Sequence, residues 1–304
     1  MSKELRIAPQ VGQALAEGMP IVALESALIT HGFAPPANLD IAKRMQAAVS
    51  AEGGLPVTIA VLDGEPRVGL SDEELARLAS DREARKVSLR DLPLVLAQGG
   101  SGGTTVAATM YLAHRAGIRV FATGGIGGVH RGHPEDTSAD LTALGSIPLV
   151  VVCAGAKAIL DLPRTLEVLE TNGVPVIGYG TDDGEFPAFY SRRSGLRVDA
   201  QVETPEEVAR IAQARAALGL STALLVCVPV PEADALPSEE AEATIAQAVK
   251  DAEVIGVHGK ELTPFLLARL VELTRGRARR ANEALLLNNA QVAARIARVL
   301  ASSE

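Results

Sequence analysis

Two ionisable side chains stand directly after apolar runs, a place where folded enzymes often hold reactive groups. Glu25 follows the first run in IVALESALITHG, and Lys157 follows another in VVVCAGAKAIL. Desolvation among small residues favours a neutral, nucleophilic lysine amine, and it equally favours a protonated carboxyl that can act as a general acid. The alternatives are a lysine that reaches from a helix start into water and a glutamate that caps a helix or forms a salt bridge.

A polar segment at residues 130–140, HRGHPEDTSAD, carries two histidines, an arginine and three carboxylates. The spacing of His130 and His133 suggests a zinc site, but no cysteine or third histidine is nearby in the sequence. Asp136 and Asp140 better suit a hard cation that keeps much of its water, such as Mg²⁺ or Mn²⁺. A solvated polar loop is the alternative for the whole segment.

Two segments are rich in glycine: residues 99–110 (GGSGGTTVAATM) and residues 122–132 (ATGGIGGVHRG). The first is expected to lead into a helix whose N–H groups can approach an anion. Neither matches G-x-G-x-x-G in register, so a dinucleotide-binding fold is not supported. Glycines that serve tight turns and close packing are the alternative for both segments.

The elements that must position these residues alternate along the chain. Seven apolar runs predict strands, at residues 20–24, 56–62, 93–97, 119–123, 148–153, 174–179 and 223–230. Capping boxes at Ser71 to Glu74 and at Thr204 to Glu207 mark helix starts, and a helical tail follows from about Pro264. Without a linker, this pattern predicts an α/β fold, a three-layer α/β/α arrangement with a mainly parallel central sheet, in a single domain over residues 1–304.

In such sheets, ligands bind beyond the carboxyl ends of the strands. These positions are the residues just after Leu24, Ala97, Thr123 and Cys153. They include Glu25, Lys157 and both glycine-rich segments, so we expect these features to meet in one site.

Composition narrows the function classes further. The 304 residues have a formal net charge of −8, 47% hydrophobic residues and 3% aromatic residues. An acidic chain with few aromatic rings is a poor general nucleic-acid binder. No apolar run approaches the ~20 residues of a membrane span, and no signal peptide is evident, so we expect a cytoplasmic protein without membrane contact. Cys153 and Cys227 lie in apolar runs and are expected to be buried, reduced thiols.

A set of short strings occurs in order along nearly the whole chain. They are ALES with a following HG, KVS-x-RDLP, G-x-TTVA-x-TM, FATGGIGGVHRG, D-x-SADL, VVCAGAK-x-ILDL and TPFLLAR. Together they resemble the pseudouridine-5′-phosphate glycosidase family. The resemblance implies reversible exchange of pseudouridine 5′-phosphate and water with uracil and ribose 5-phosphate, a divalent metal that is usually Mn²⁺, and a homotrimer.

The resemblance also implies roles for individual residues. It makes Lys157 the nucleophile, which we expect to form an imine with ribose, and it makes Glu25 the proton donor. The implied substrate-binding positions are Lys86, Val106, Ser138, Ala139 and Asp140, and the implied metal ligand is Asp136. Contacts at the phosphate end are implied, less directly, for Thr123, His130 and one of Asn288 and Asn289, of which we name Asn289. His133 and Glu135 inherit no role.

Two other functions fit the same residues. A Schiff-base aldolase or lyase acting on another sugar phosphate would share the lysine and differ in the leaving group. A regulatory protein that binds a sugar phosphate would need the glycines and basic groups but neither Glu25 nor Lys157. Release of uracil from the substrate separates the first of these from the glycosidase.

Overall fold

The computed structural model describes residues 5–257 and 262–302. Its strands are β1 (Arg6–Ile7), β2 (Ile21–Leu24), β3 (Leu55–Leu62), β4 (Glu65–Val68), β5 (Arg85–Val87), β6 (Gly102–Thr104), β7 (Val120–Ala122), β8 (Val129–His130), β9 (His133–Thr137), β10 (Val150–Cys153), β11 (Val176–Tyr179), β12 (Ala200–Val202) and β13 (Leu224–Cys227). Its helices are α1 (Pro9–Ala16), α2 (Ala37–Ala51), α3 (Asp72–Ser80), α4 (Leu92–Ala97), α5 (Val106–Ala116), α6 (Ala139–Leu144), α7 (Leu162–Thr171), α8 (Pro205–Ala217), α9 (Ser238–Ile255), α10 (Leu262–Leu273) and α11 (Arg277–Ala301).

A mainly parallel sheet forms the centre of the described chain, with helices on both sides. Its strand order is β1-β4-β3-β2-β7-β10-β13-β11-β12, with β6 beside β3 and β5 beside β6. The β3–β4 and β3–β6 pairs are antiparallel. The predicted α/β/α fold in a single domain is confirmed; the domain limits, 1–304, stay a prediction.

The register of the central strands brings the predicted site together. Leu24 at the end of β2 pairs with Ala122 of β7, which pairs in turn with Val152 of β10. The three strands are parallel, so the residues that follow them emerge at the same edge of the sheet. Glu25 follows β2, and the loop that carries Lys157 follows β10. Thr123 follows β7, which lies between these two strands.

The strand predicted at residues 93–97 is wrong, because this run forms the short helix α4. Pro93 lies in the first helical turn, where its missing N–H is tolerated. Leu92 and Val95 are buried while Leu94 is 49% exposed, which is helical spacing. The apolar run alone did not separate a buried strand from a short helix.

The strand that precedes helix α5 is β6. It lies within the glycine-rich segment at residues 99–110. A side chain on Gly103 would collide with the backbone of Ser26, and one on Gly102 would collide with the backbone of Arg85. These two glycines therefore allow close packing rather than a turn around an anion. Thr105 and helix α5 follow immediately.

Several smaller predictions are confirmed. Both capping boxes form, at Ser71 and at Thr204. The helical tail packs on the core, with α11 lying against α2, α8 and the strands β2, β7 and β10. Cys153 and Cys227 are buried, free thiols that face each other across β10 and β13. Within the described ranges, no helix is both long and apolar enough to cross a membrane.

Candidate active site

Two adjoining cavities lie where β2, β7 and β10 end, and both are lined by Glu25, Ala27, Lys86 and Lys157. One is called here the apolar cavity; its other lining residues are Leu28, His31, Gly32, Phe33, Gly124, Gly125, Phe189, Leu267, Asn282 and Leu286. The other is called the polar cavity; its other lining residues are Ser88, Thr105, Val106, Gly127, Gly128, His130, Ser138, Ala139, Asp140, Ile159 and Leu160.

Most of the residues proposed from the sequence converge on the polar cavity. Its lining includes Glu25, Lys86, Val106, His130, Ser138, Ala139, Asp140 and Lys157. Glu25 and Lys157 lie in the loops after β2 and β10, and Lys86 and His130 lie on β5 and β8. The other four residues lie at the starts of α5 and α6. The sequence therefore predicted a group of residues that the fold does assemble.

Glu25 is buried at the end of β2, with 8% of its surface exposed. The Thr123 hydroxyl donates a hydrogen bond to its carboxylate. Burial raises the pKa of the Glu25 carboxyl, and the positive charge of Lys157 and the Thr123 hydrogen bond offset only part of that rise. A raised pKa keeps more of the carboxyl protonated near neutral pH, as a proton donor requires.

Lys157 is half-buried and follows a tight turn after β10. Gly155 in this turn has φ +83°, and a side chain there would collide with the Pro187 carbonyl oxygen. The Lys157 N–H donates to the carbonyl of Ile126 at 3.1 Å, which ties the turn to the loop after β7. Lys157 lines both cavities.

Asp140 holds two site loops together. Its carboxylate accepts the N–H of Ala107 at 3.0 Å and the N–H of Gly127 at 2.8 Å. Ser138 caps helix α6 by accepting the N–H of Asp140 at 3.2 Å. The carboxylate thus joins the start of α5 to the glycine-rich segment at residues 122–132. Contact between Asp140 and a substrate stays a prediction.

Thr123 and Asn289 lie behind the wall of the site. Neither is among the described residues that line the two cavities. Both are fully buried. The Asn289 amide donates to the carbonyls of Thr123 at 2.8 Å and Gly124 at 3.4 Å. The Asn289 amide thus fixes the backbone near Glu25, and its contact with a phosphate stays a prediction.

Asp136 lies on β9, in the hairpin that this strand forms with β8. Its side chain is 56% exposed, and its Oδ2 is 3.9 Å from Nε2 of His130. Among the described residues, no group of three or more His, Cys, Asp or Glu side chains could hold a metal ion. The single carboxylate of Asp136 fits a cation that keeps most of its water ligands. It does not fit a site in which protein side chains supply all the ligands.

Sequence reasoning missed several residues that line the cavities. Thr105 lines the polar cavity at the start of α5, and within the described chain its buried Oγ1 has no hydrogen-bond partner. Asn282 lines the apolar cavity two helical turns before Asn289 on the same face of α11, a spacing that the sequence does contain. His31 belongs to the HG of the first quoted string but was given no role, and Phe189 carried no comparable signal.

The fold is that of a known family of α/β proteins. The family model described as indigoidine synthase A like protein matches residues 10–299, and the chain belongs to this family. A relative from Methylobacterium nodulans, named pseudouridine-5′-phosphate glycosidase, is 54% identical over 295 residues, covering 96% of this chain and 87% of the relative. The resemblance drawn from the sequence strings is confirmed.

Two solved structures share the fold over nearly the whole chain. One is the prealnumycin C-glycosynthase AlnA in complex with ribulose 5-phosphate, with TM-score 0.91 and 37% identity, covering 100% of this chain and 99% of that chain. The other is an indigoidine synthase A-like protein from Thermotoga maritima, with TM-score 0.87 and 40% identity, covering 94% of each chain.

Proposed function

We propose that this protein is an enzyme that reversibly cleaves the carbon–carbon glycosidic bond of pseudouridine 5′-phosphate, giving uracil and ribose 5-phosphate with uptake of water. One observation carries the proposal: Glu25, a buried acid with a raised pKa, and Lys157, a half-buried amine, line the same two cavities. The name of the Methylobacterium nodulans relative and the pentose phosphate bound by AlnA support the substrate class.

A carbon leaving group explains why an amine is needed. Ordinary glycosidases expel an oxygen or nitrogen atom that accepts a proton readily, and a pair of carboxylates suffices for them. The carbon of uracil is a poorer leaving atom, so the sugar must become a better electron sink. An iminium ion at the anomeric carbon supplies that sink, and a lysine amine is the group that forms it.

The steps follow from the two side chains. Glu25 gives its proton to the ribose ring oxygen as the bond from that oxygen to the anomeric carbon breaks, and Lys157 forms a carbon–nitrogen bond there. The new nitrogen centre returns a proton to Glu25. The nitrogen lone pair then forms the iminium bond as the carbon–carbon bond breaks, and the former glycosidic carbon of uracil takes that proton from Glu25. Water adds to the iminium and loses a proton to Glu25, releasing ribose 5-phosphate and the free amine.

The polar cavity suits the phosphate end of the substrate. Lys86 supplies a cationic side chain, Thr105 supplies a buried hydroxyl, and Val106 begins helix α5, whose N-terminus favours anions. Anchoring the phosphate there holds the sugar against Glu25 and Lys157 while its ring is open.

A divalent cation, Mn²⁺ or a similar ion, belongs to the same proposal. Asp136 would hold it through one carboxylate, with water filling the other positions. A cation bound in this way supplies positive charge that orients the substrate. A homotrimer and a cytoplasmic location are likewise proposed from the family resemblance.

Incubation of the protein with pseudouridine 5′-phosphate tests the function. Absorbance and mass detection should show uracil and ribose 5-phosphate in equal amounts, and the reverse reaction should form the nucleotide. Turnover of other sugar phosphates without uracil release would favour the aldolase alternative, and binding of ribose 5-phosphate without turnover would favour the regulatory protein. A parallel sample with chelator and restored Mn²⁺ tests the cation.

A further inference from the structure

The turn that carries Lys157 is fixed by hydrogen bonds along its backbone. The Leu160 N–H donates to the Lys157 carbonyl at 3.0 Å, which closes the turn at residues 157–160. The carbonyls of Ala158 and Leu160 both accept hydrogen bonds from one side chain, that of Arg131. This arginine lies where strands β8 and β9 join, and the mechanism above gives it no role. A side chain from the neighbouring hairpin therefore holds the turn on which the amine stands.

The Arg131 guanidinium divides its donors between this turn and a helix. Its Nε donates to the Leu160 carbonyl at 3.0 Å, and its Nη2 donates to the Ala158 carbonyl at 3.2 Å. Its Nη1 and Nη2 also donate to the two carboxylate oxygens of Glu242 on α9, at 2.9 Å and 3.0 Å. A planar guanidinium makes such a set of bonds because the directions of its N–H groups are fixed. The carboxylate thus sets the orientation in which Arg131 meets the turn.

The two sides of this arginine differ in how easily water can replace their bonds. The side chains of Arg131 and Glu242 are 30% and 55% exposed, so their ion pair contributes little to stability. Ala158 and Leu160 are buried, so water does not readily take the place of the guanidinium at their carbonyls. The hydrogen bonds from Arg131 lower the pKa of the Glu242 carboxyl, which keeps this partner ionised near neutral pH.

We propose that Arg131 is a positioning residue for Lys157: it fixes the turn through two backbone carbonyls, while Glu242 orients its guanidinium. This inference rests on the proposed function. Arg131 is not among the described residues that line the two cavities, so it acts through the backbone and not on a substrate. Misplacement of a reacting group by about 1 Å can cost about 10²-fold in rate. A loosened turn should therefore slow attack of the amine on the sugar without weakening binding of the sugar.

Borohydride trapping of ribose 5-phosphate on Lys157 tests the assignment, with the rate of trapping followed over a range of sugar concentrations. Arg131→Ala should lower the rate at saturation about 10- to 100-fold and change the half-saturating concentration by less than about twofold. Arg131→Lys should recover part of the rate, because its amine still reaches a carbonyl but lacks the planar set of donors. Circular dichroism should show that both variants are folded.

Glu242→Ala tests the second half of the inference at an exposed residue, where loss of folding is not expected. It should lower the saturating rate by a smaller factor than Arg131→Ala does. The double variant should be no slower than Arg131→Ala alone, because Glu242 acts through the arginine. Arg164→Ala is the matched control, since it removes an exposed arginine from α7, the helix that follows the same turn.

Three results overturn the inference while the proposed function stands. They are a wild-type saturating rate in folded Arg131→Ala, a wild-type rate in Glu242→Ala, and a loss in Arg131→Ala that lies in the half-saturating concentration of ribose 5-phosphate. A wild-type protein that forms neither the adduct nor the nucleotide from uracil and ribose 5-phosphate overturns the proposed function and this inference with it.

Discussion

The floor of the site and the hairpin beside it are built in opposite ways. The floor, formed by Glu25, Thr123 and Asn289, is buried and linked by hydrogen bonds from the Asn289 amide to the Thr123 carbonyl and from the Thr123 hydroxyl to Glu25. The β8–β9 hairpin carries Asp136 and Glu135 with 56% and 75% of their side chains exposed. The fold thus fixes the acid through buried hydrogen bonds, whereas the carboxylates of the hairpin face solvent.

The floor and the hairpin also differ in how much their side-chain contacts contribute to the free energy of unfolding. Removing one partner of a buried hydrogen bond leaves a polar group without water, at a cost of about 1–3 kcal/mol. Exposed ion pairs such as His133 with Glu135, 3.5 Å apart, contribute about 0–1 kcal/mol. Substitutions in the floor should therefore change chemistry and stability, and substitutions in the hairpin should leave stability nearly unchanged.

The largest effect is expected at the amine. Lys157→Ala should lower turnover by roughly 10⁴-fold or more, because the amine that forms the iminium is lost. Calorimetry should show that ribose 5-phosphate still binds, since Lys86 and the start of α5 remain. Lys43→Ala, on an exposed face of α2, is the control. Loss of binding together with loss of the folded circular-dichroism signal would instead make Lys157 a structural residue.

Glu25→Gln comes next, with an expected loss in kcat of about 10²- to 10⁴-fold, because the amide has no proton to give the ring oxygen. Trapping experiments with pseudouridine 5′-phosphate should show that ring opening is the step that fails. Glu17→Gln, which is exposed, should behave as wild type. Near-normal turnover of Glu25→Gln would remove this residue from the acid role.

Thr123→Val tests how the floor controls the pKa of Glu25. We expect a loss of activity of about tenfold or less. The Thr123 hydrogen bond lowers the pKa of Glu25, so removing the hydroxyl should raise that pKa further. The reaction needs protonated Glu25, and activity is therefore lost as pH rises through this pKa. The alkaline limb of the kcat/KM profile should move to higher pH in the variant; a limb that stays in place or moves down contradicts the assignment.

The smallest effect on the folded protein is expected in the hairpin. Asp136→Asn should change the free energy of unfolding by less than about 0.5 kcal/mol, because the side chain is mostly exposed. Activation by added Mn²⁺, measured after chelation, should be lost. Glu135→Gln on the same strand should keep the activation. Full activation in Asp136→Asn would separate this residue from the cation.

The parts of the fold that the sequence predicted are those with a continuous physical signal. β2, β7 and β10 are covered on both faces, so their apolar runs stand out, and the charged residues that follow β2 and β10 are conspicuous. Glu25 and Lys157 were found in this way. The helix at residues 92–97 and the glycine strand β6 were not, because a five-residue apolar run fits either structure and glycine carries no hydrophobic signal.

The remaining site residues depend on tertiary geometry. Asn282 and Asn289 share a face of α11, yet one lines a cavity and the other lies behind its wall. Nothing local distinguishes them, since the difference is set by how far the helix extends over the sheet. Phe189 likewise reaches the cavity through a left-handed backbone position in a loop, which sequence periodicity does not encode.

Borohydride trapping tests the central claim most directly. Wild-type protein is incubated with ribose 5-phosphate, reduced, digested and analysed by mass spectrometry. We predict one added reduced pentose phosphate per chain, located on Lys157 and absent from Lys157→Ala. Protein that turns over pseudouridine 5′-phosphate while staying unmodified, or that carries the adduct on a different lysine, would contradict covalent catalysis by this amine.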